Sequence, residues 1–257
     1  MKHSNKSKIM ALAACLSLGA MAPAYDYWFA TGELDLEAHY EDGELHMVLH
    51  NHATESEIEP ASALLYAGTN ARTPRFAGSA YDFIGVGAGD NFWHLPEVED
   101  PNRLYTGFGF EEMDPDDAMF APYTEMDSRV SGSARWMTVS LCGVTGPGQV
   151  ATWQEGDDGP VVWMASADGI GSSDKFIGEF GSHTHLNWGF TAAGLYGIDL
   201  QASTWLDSNS NGMLDPGDTQ IFSEKTTYNF SIEAVPEPAT MLALGAGLVG
   251  LARRKKR

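Results

Sequence analysis

Apolar and polar residues alternate through Gly32-Glu33-Leu34-Asp35-Leu36-Glu37-Ala38-His39-Tyr40 and again through Glu44-Leu45-His46-Met47-Val48-Leu49-His50. A period of two is that of a strand with one buried face. Asp42-Gly43 stands between the runs, and this dipeptide suits a type I′ turn, whose two central residues both need positive φ. A two-residue loop there sets the register. Tyr40 faces Leu45, Ala38 faces Met47 and Leu36 faces Leu49, apolar against apolar, while the other face sets His39 against His46 and Asp35 against His50.

The pattern is less regular between residues 52 and 130, where Gly85-Val86-Gly87-Ala88-Gly89-Asp90 interrupts any long element. Phe92-Trp93-His94-Leu95-Pro96 reads as a short aromatic strand. Glu111 to Met119 reads as a helical turn with Asp114 as its cap and Pro115 in its first position. Strands return at 135–144, 149–154 and 160–166, with Gly146-Pro147-Gly148 turning the first into the second. His183 to Phe190 and Leu195 to Trp205 read as a second hairpin about Ala192, Ala193 and Gly194, and Thr226 to Ile232 as the last strand. Many short strands with Gly- and Pro-rich turns predict an all-β fold, a single β-sandwich domain.

Both ends differ from this pattern. Lys2, Lys6 and Lys8 precede an apolar run from Ile9 to Met21, and Ala22-Pro23-Ala24 offers small residues for signal peptidase, so residues 1–24 read as a secretory signal. Leu12-Ala13-Ala14-Cys15 gives an alternative, a lipobox with Cys15 lipidated. At the other end Val235-Pro236-Glu237-Pro238 precedes the apolar run Thr240 to Ala252, and Arg253-Arg254-Lys255-Lys256-Arg257 follows. As a helix that run reaches about 20 Å, short of a hydrocarbon core of roughly 30 Å, which suits a transient transmembrane helix with its basic end in the cytoplasm. The three-part order of residues 235–257 resembles the PEP-CTERM sorting tail. The resemblance implies cleavage by exosortase near Pro236-Glu237-Pro238, in a Gram-negative bacterium that makes extracellular polysaccharide. It also implies an exported protein at the cell surface or in the extracellular matrix, held briefly at the inner membrane, with that polysaccharide as an expected partner.

Between the ends, residues 25–234 form the expected β domain. Seven Lys and Arg stand against 34 Asp and Glu once both ends are removed, a net charge near −27. Such a surface excludes nonspecific binding to nucleic acid and attracts cations. Only Cys142 remains after signal removal, so packing, with or without a bound metal, and not an intrachain disulfide must hold the fold. Cys142 lies among apolar neighbours in a strand pattern and reads as a core residue.

Two constellations carry chemistry. In His183-Thr184-His185-Leu186-Asn187-Trp188-Gly189-Phe190-Thr191, a strand puts His183, His185 and Asn187 on one face, and two imidazoles at i and i+2 can reach one zinc or manganese ion. Further ligands must come from elsewhere, with His94, His39, His46 and His50 as candidates. The alternative is a polar strand face held by structural hydrogen bonds. The run through Gly194 and Tyr196 resembles the H-x-H-x-N-W-x-F-T-x-x-G-x-Y signature of the choice-of-anchor M domain, a bacterial surface domain. Gly32-Glu33-Leu34-Asp35, Phe92-Trp93-His94-Leu95-Pro96, Gly146-Pro147-Gly148 and Ser166-Ala167-Asp168-Gly169 fit the same resemblance. Members often carry His where this chain has Glu33, so the resemblance implies either an oxygen ligand there or loss of the site.

The second constellation is Asp207-Ser208-Asn209-Ser210-Asn211-Gly212-Met213-Leu214-Asp215-Pro216-Gly217-Asp218. Asp207, Asn209, Asn211, Asp215 and Asp218 fall at positions 1, 3, 5, 9 and 12 of a calcium loop, with Gly212 at the sharp turn and the Met213 carbonyl at position 7. The alternative is a turn stabilised by its own Asn and Asp side chains. No G-x-S-x-G, HExxH or phosphate-loop pattern is present. The reading is therefore a noncatalytic, calcium-stabilised surface or matrix protein, with transition-metal binding through His183 and His185 as the alternative.

Overall fold

A computed structural model describes residues 25–234 of the 257. The described residues form one compact unit. The strands, in chain order, are β1 (Tyr27–Phe29), β2 (Gly32–Glu41), β3 (Glu44–Asn51), β4 (Ser56–Ile58), β5 (Ala63–Ala67) and β6 (Arg72–Pro74). Next come β7 (Asn91–Leu95), β8 (Leu104–Gly109), β9 (Tyr123–Thr124), β10 (Ser133–Ala134), β11 (Trp136–Thr145) and β12 (Val150–Gly156). The last six are β13 (Gly159–Ala165), β14 (Lys175–Glu179), β15 (His183–Phe190), β16 (Gly194–Leu206), β17 (Thr219–Phe222) and β18 (Thr226–Ile232). The fold is all-β, as its patterning predicts, with strands in mixed sheets.

One sheet runs β1-β5-β18-β16-β11-β14, with β17 on β16. The other runs β13-β12-β15-β8-β2-β3-β4, with β7 on β15 and β6 on β7. Their facing apolar rows form the core. Trp188 of β15 stacks on Phe230 of β18 at 5.4 Å, and Phe108 of β8 on Phe176 of β14 at 5.1 Å. The Tyr228 hydroxyl, on a fully buried ring, donates to the Val48 carbonyl across the layers. Trp93, Trp136, Trp163 and Trp188 are all buried.

The first hairpin has the expected register residue for residue, from Leu36 against Leu49 to Tyr40 against Leu45, with Asp42 at φ 51° and Gly43 at φ 91°. Three expectations fail. β15 and β16 do not form a hairpin; they lie in different sheets, and 191–193 carry the chain between the layers. Trp188, Phe190, Tyr196 and Ile198 are all buried, so crossing lets both strands turn those residues inward. The Tyr196 hydroxyl fixes the corner by donating to the Ala192 carbonyl. Glu111 to Met119 forms turns and no helix, because Asp114 and Asp117 accept from the N–H groups of Asp116 and Met119, two residues on. Cys142 sits half-buried at a bulge in β11, where pairing with β16 shifts between Leu141 and Gly143, and is not a core residue.

A candidate metal centre on the outer face of the second sheet

Alternation along β2 turns Leu34, Leu36 and Ala38 into the core, so Glu33, Asp35, Glu37 and His39 point the other way. β3 adds His46 and His50 to this outer face, and His52 continues the same alternation just past its end. β15 adds His183 and His185. The strand between them, β8, places Gly107 beside Asp35 and His185, and Gly109 beside Glu37 and His183. With no side chain at either glycine, groups two strands apart meet over β8.

Glu33 Oε1 lies 2.9 Å from His185 Nε2, 3.6 Å from His183 Nε2 and 3.9 Å from His52 Nε2. Asp35 Oδ2 accepts from His52 Nε2 at 3.0 Å, and Asp35 Oδ1 lies 3.7 Å from His185 Nε2. One ligand atom from each of Glu33, Asp35, His183 and His185 falls within 4.8 Å of every other, and Asp35, His52 and Glu111 make an overlapping group. Asp35 is 1 % exposed, and its Oδ1 is buried with no hydrogen-bond partner among the described residues. A buried anionic oxygen without a donor is costly, and a cation at that point removes the cost.

The surrounding groups hold these side chains in place. Tyr105 donates its hydroxyl to Glu33 Oε2 at 3.1 Å, leaving Oε1 to the imidazoles. Burial, then the Glu33 charge, pushes the Tyr105 phenol up to about 12. Glu111 Oε1 lies 3.2 Å from His183 Nδ1, which leaves Nε2 free, the usual carboxylate–imidazole–metal arrangement. Burial opposes a charge on His52, but the Asp35 hydrogen bond and the charges of Asp35, Glu33 and Glu111 outweigh it and raise its pKa. Burial also raises the Glu37 carboxyl, against the pull of His50.

Of the proposed ligand residues, the structure brings His183 and His185 together, with Glu33 beside them. His94 does not join them. Its Nε2 meets Asn187 Oδ1 at 2.7 Å, and burial lowers its pKa. Asn187 is fully used as well, since its amide also donates to Glu97. His50 faces Glu37 at 3.0 Å, and His39 and His46 pair farther along the hairpin with rings 5.7 Å apart. The residues missed are Asp35 as a ligand, His52, Glu111 and Tyr105. Spacing two residues beyond Glu33 and His50 could have found Asp35 and His52. Only tertiary packing places Glu111.

The calcium-type loop joins β16 to β17, between strands as its flanks predict. Asp207 Oδ2 accepts from the Gly212 N–H at 2.7 Å, and Gly212 has φ 76° at the sharp turn. Asn209 and Asn211 both donate their amides to Asp215 Oδ2, which gathers positions 3, 5 and 9. Asp218 accepts from the N–H groups of Ser208 and Asp215, closing the loop. Met213 is exposed.

Among the described residues no helix is long and apolar enough to cross a membrane. The expected signal segment 1–24, the sorting residues Val235, Pro236, Glu237 and Pro238, and the apolar run expected to span lie outside the described residues. No curated protein and no solved structure matches the chain. Residues 234–257 match the PEP-CTERM protein-sorting motif, so the chain is an exported protein whose tail sorts it to the cell envelope through exosortase.

Proposed function

We propose that this exported protein is a noncatalytic surface or matrix protein that binds a divalent transition metal, zinc or manganese, through Glu33, Asp35, His52, His183 and His185. The observation that carries the reading is the buried Asp35 Oδ1, without a hydrogen-bond partner among the described residues, facing the His185 imidazole, one of three imidazoles around Glu33 Oε1. Mixed imidazole and carboxylate donors suit these metals. The resemblance to the choice-of-anchor M domain belongs to the same reading, since the His183-x-His185 strand carries it. The test is elemental analysis of the untagged full chain beside a His183→Ala/His185→Ala variant. The expected result is a loss of one transition-metal ion per chain in the variant, and equal metal in both would overturn the reading.

Calcium at 207–218 is a second reading, supported by the gathering of Asn209, Asn211 and Asp215. Rotating the two Asn amides would turn their oxygens toward a cation there. Calcium binding that is unchanged by the histidine substitutions fits this reading, and no calcium-dependent rise in melting temperature would end it.

A further inference from the structure

The outer face holds a second cluster beyond the first. His39 of β2, Glu57 of β4 and Glu112, from the segment after β8, each place a ligand atom within 4.8 Å of the others. None of them belongs to the first cluster. His39 and Asp35 are four residues apart on one strand, about 13 Å. The two groups share no residue, so they are separate candidate sites.

His39 points to a ligand. Its side chain is 8 % exposed, and its Nδ1 is buried without a hydrogen-bond partner among the described residues. That nitrogen faces Glu57 Oε1 at 3.5 Å, near but outside bonding distance. The two glutamates are exposed and come from separate segments, so they can close on an ion without moving the sheet. His46 stands across the hairpin, its ring 5.7 Å from that of His39, and Glu37 lies between the two clusters, held by His50.

We propose that His39, Glu57 and Glu112 form a second divalent-metal site, one imidazole and two carboxylates, taking zinc or manganese with water in the remaining positions. Glu111 and Glu112 are adjacent, and each faces a different cluster. An ion at the second site therefore steadies the segment that brings Glu111 to the first.

The test counts zinc on the untagged full chain after equilibrium dialysis with calcium in excess, so that oxygen-only sites are filled. The wild-type chain should hold two zinc ions. His39→Gln should hold one, His183→Ala/His185→Ala should hold one, and the combination none. Glu57→Gln/Glu112→Gln changes only exposed groups and should match His39→Gln, which covers the case of a folding defect in the latter. If both variants keep the wild-type count, the second site is refuted. If the wild-type chain holds one ion, lost in His39→Gln and kept in His183→Ala/His185→Ala, the second site stands and the first falls.

Discussion

Asp35→Asn separates a metal ligand from a structural carboxylate, because the two roles predict opposite signs. The substitution keeps the side chain's shape, and the Asn carbonyl can still accept from His52. It removes one of two anions whose oxygens lie within 4.8 Å of each other. At 4.8 Å the repulsion between Glu33 and Asp35 is about 3.5 kcal/mol at an effective dielectric constant near 20, and the weakened pairing with His52 offsets part of it. Metal-free Asp35→Asn should therefore be at least as stable as the wild type. Zinc reverses the order. A ligand at one hundred times its dissociation constant stabilises by about 2.7 kcal/mol, and a domain of this size gains roughly 2–4 °C per kcal/mol. Asp35→Asn should thus lose about 5–11 °C of the zinc-dependent rise in melting temperature. Differential scanning calorimetry at pH 8, with chelator and with zinc, measures both effects. A variant that melts lower without metal yet keeps the full zinc response would mean that Asp35 serves only its ion pair with His52.

Gly107→Ala and Gly109→Ala form a matched pair. A Cβ at Gly107 would lie 1.9 Å from the Thr184 carbonyl oxygen, so separating β8 from β15 should cost about 3 kcal/mol or more, whereas at Gly109 the nearest atom is 3.4 Å away and the cost should stay below about 1 kcal/mol. Equal urea midpoints for the two variants would contradict the close approach. The Arg129 guanidinium holds Asp127 down to about 2 through its hydrogen bonds, so this carboxylate contributes stability above its ordinary unfolded pKa of about 3.9, and the contribution is lost as pH falls from about 4 to 2. Asp127→Asn should flatten acid unfolding over that window, and an unchanged profile counts against the pairing. Asp207→Ala should abolish calcium-dependent stabilisation while leaving the zinc count intact, and a calcium response that survives would place the ion elsewhere.

Alternation and an Asp-Gly turn were enough to give the first hairpin, its register and its buried face, because a two-residue loop leaves one pairing that matches apolar with apolar. The strand spacing of His183 and His185 gave their shared face for the same local reason. The sequence also carried the sorting motif at residues 234–257, which is read as a linear segment and needs no fold.

The destination of β16 was not legible. A short Gly-containing connection after a strand allows either a hairpin or a crossing between sheets, and the choice rests on burying Trp188, Phe190, Tyr196 and Ile198 together. Nor was the cluster of Glu33, Asp35, His183 and His185 complete in the sequence. Glu33 and His185 stand 152 positions apart and meet because Gly107 leaves the intervening strand without a side chain. Local sequence determined which residues face outward. Only the order of β15, β8, β2 and β3 decided which outward residues would meet, because strand order is set by burial of the opposite face.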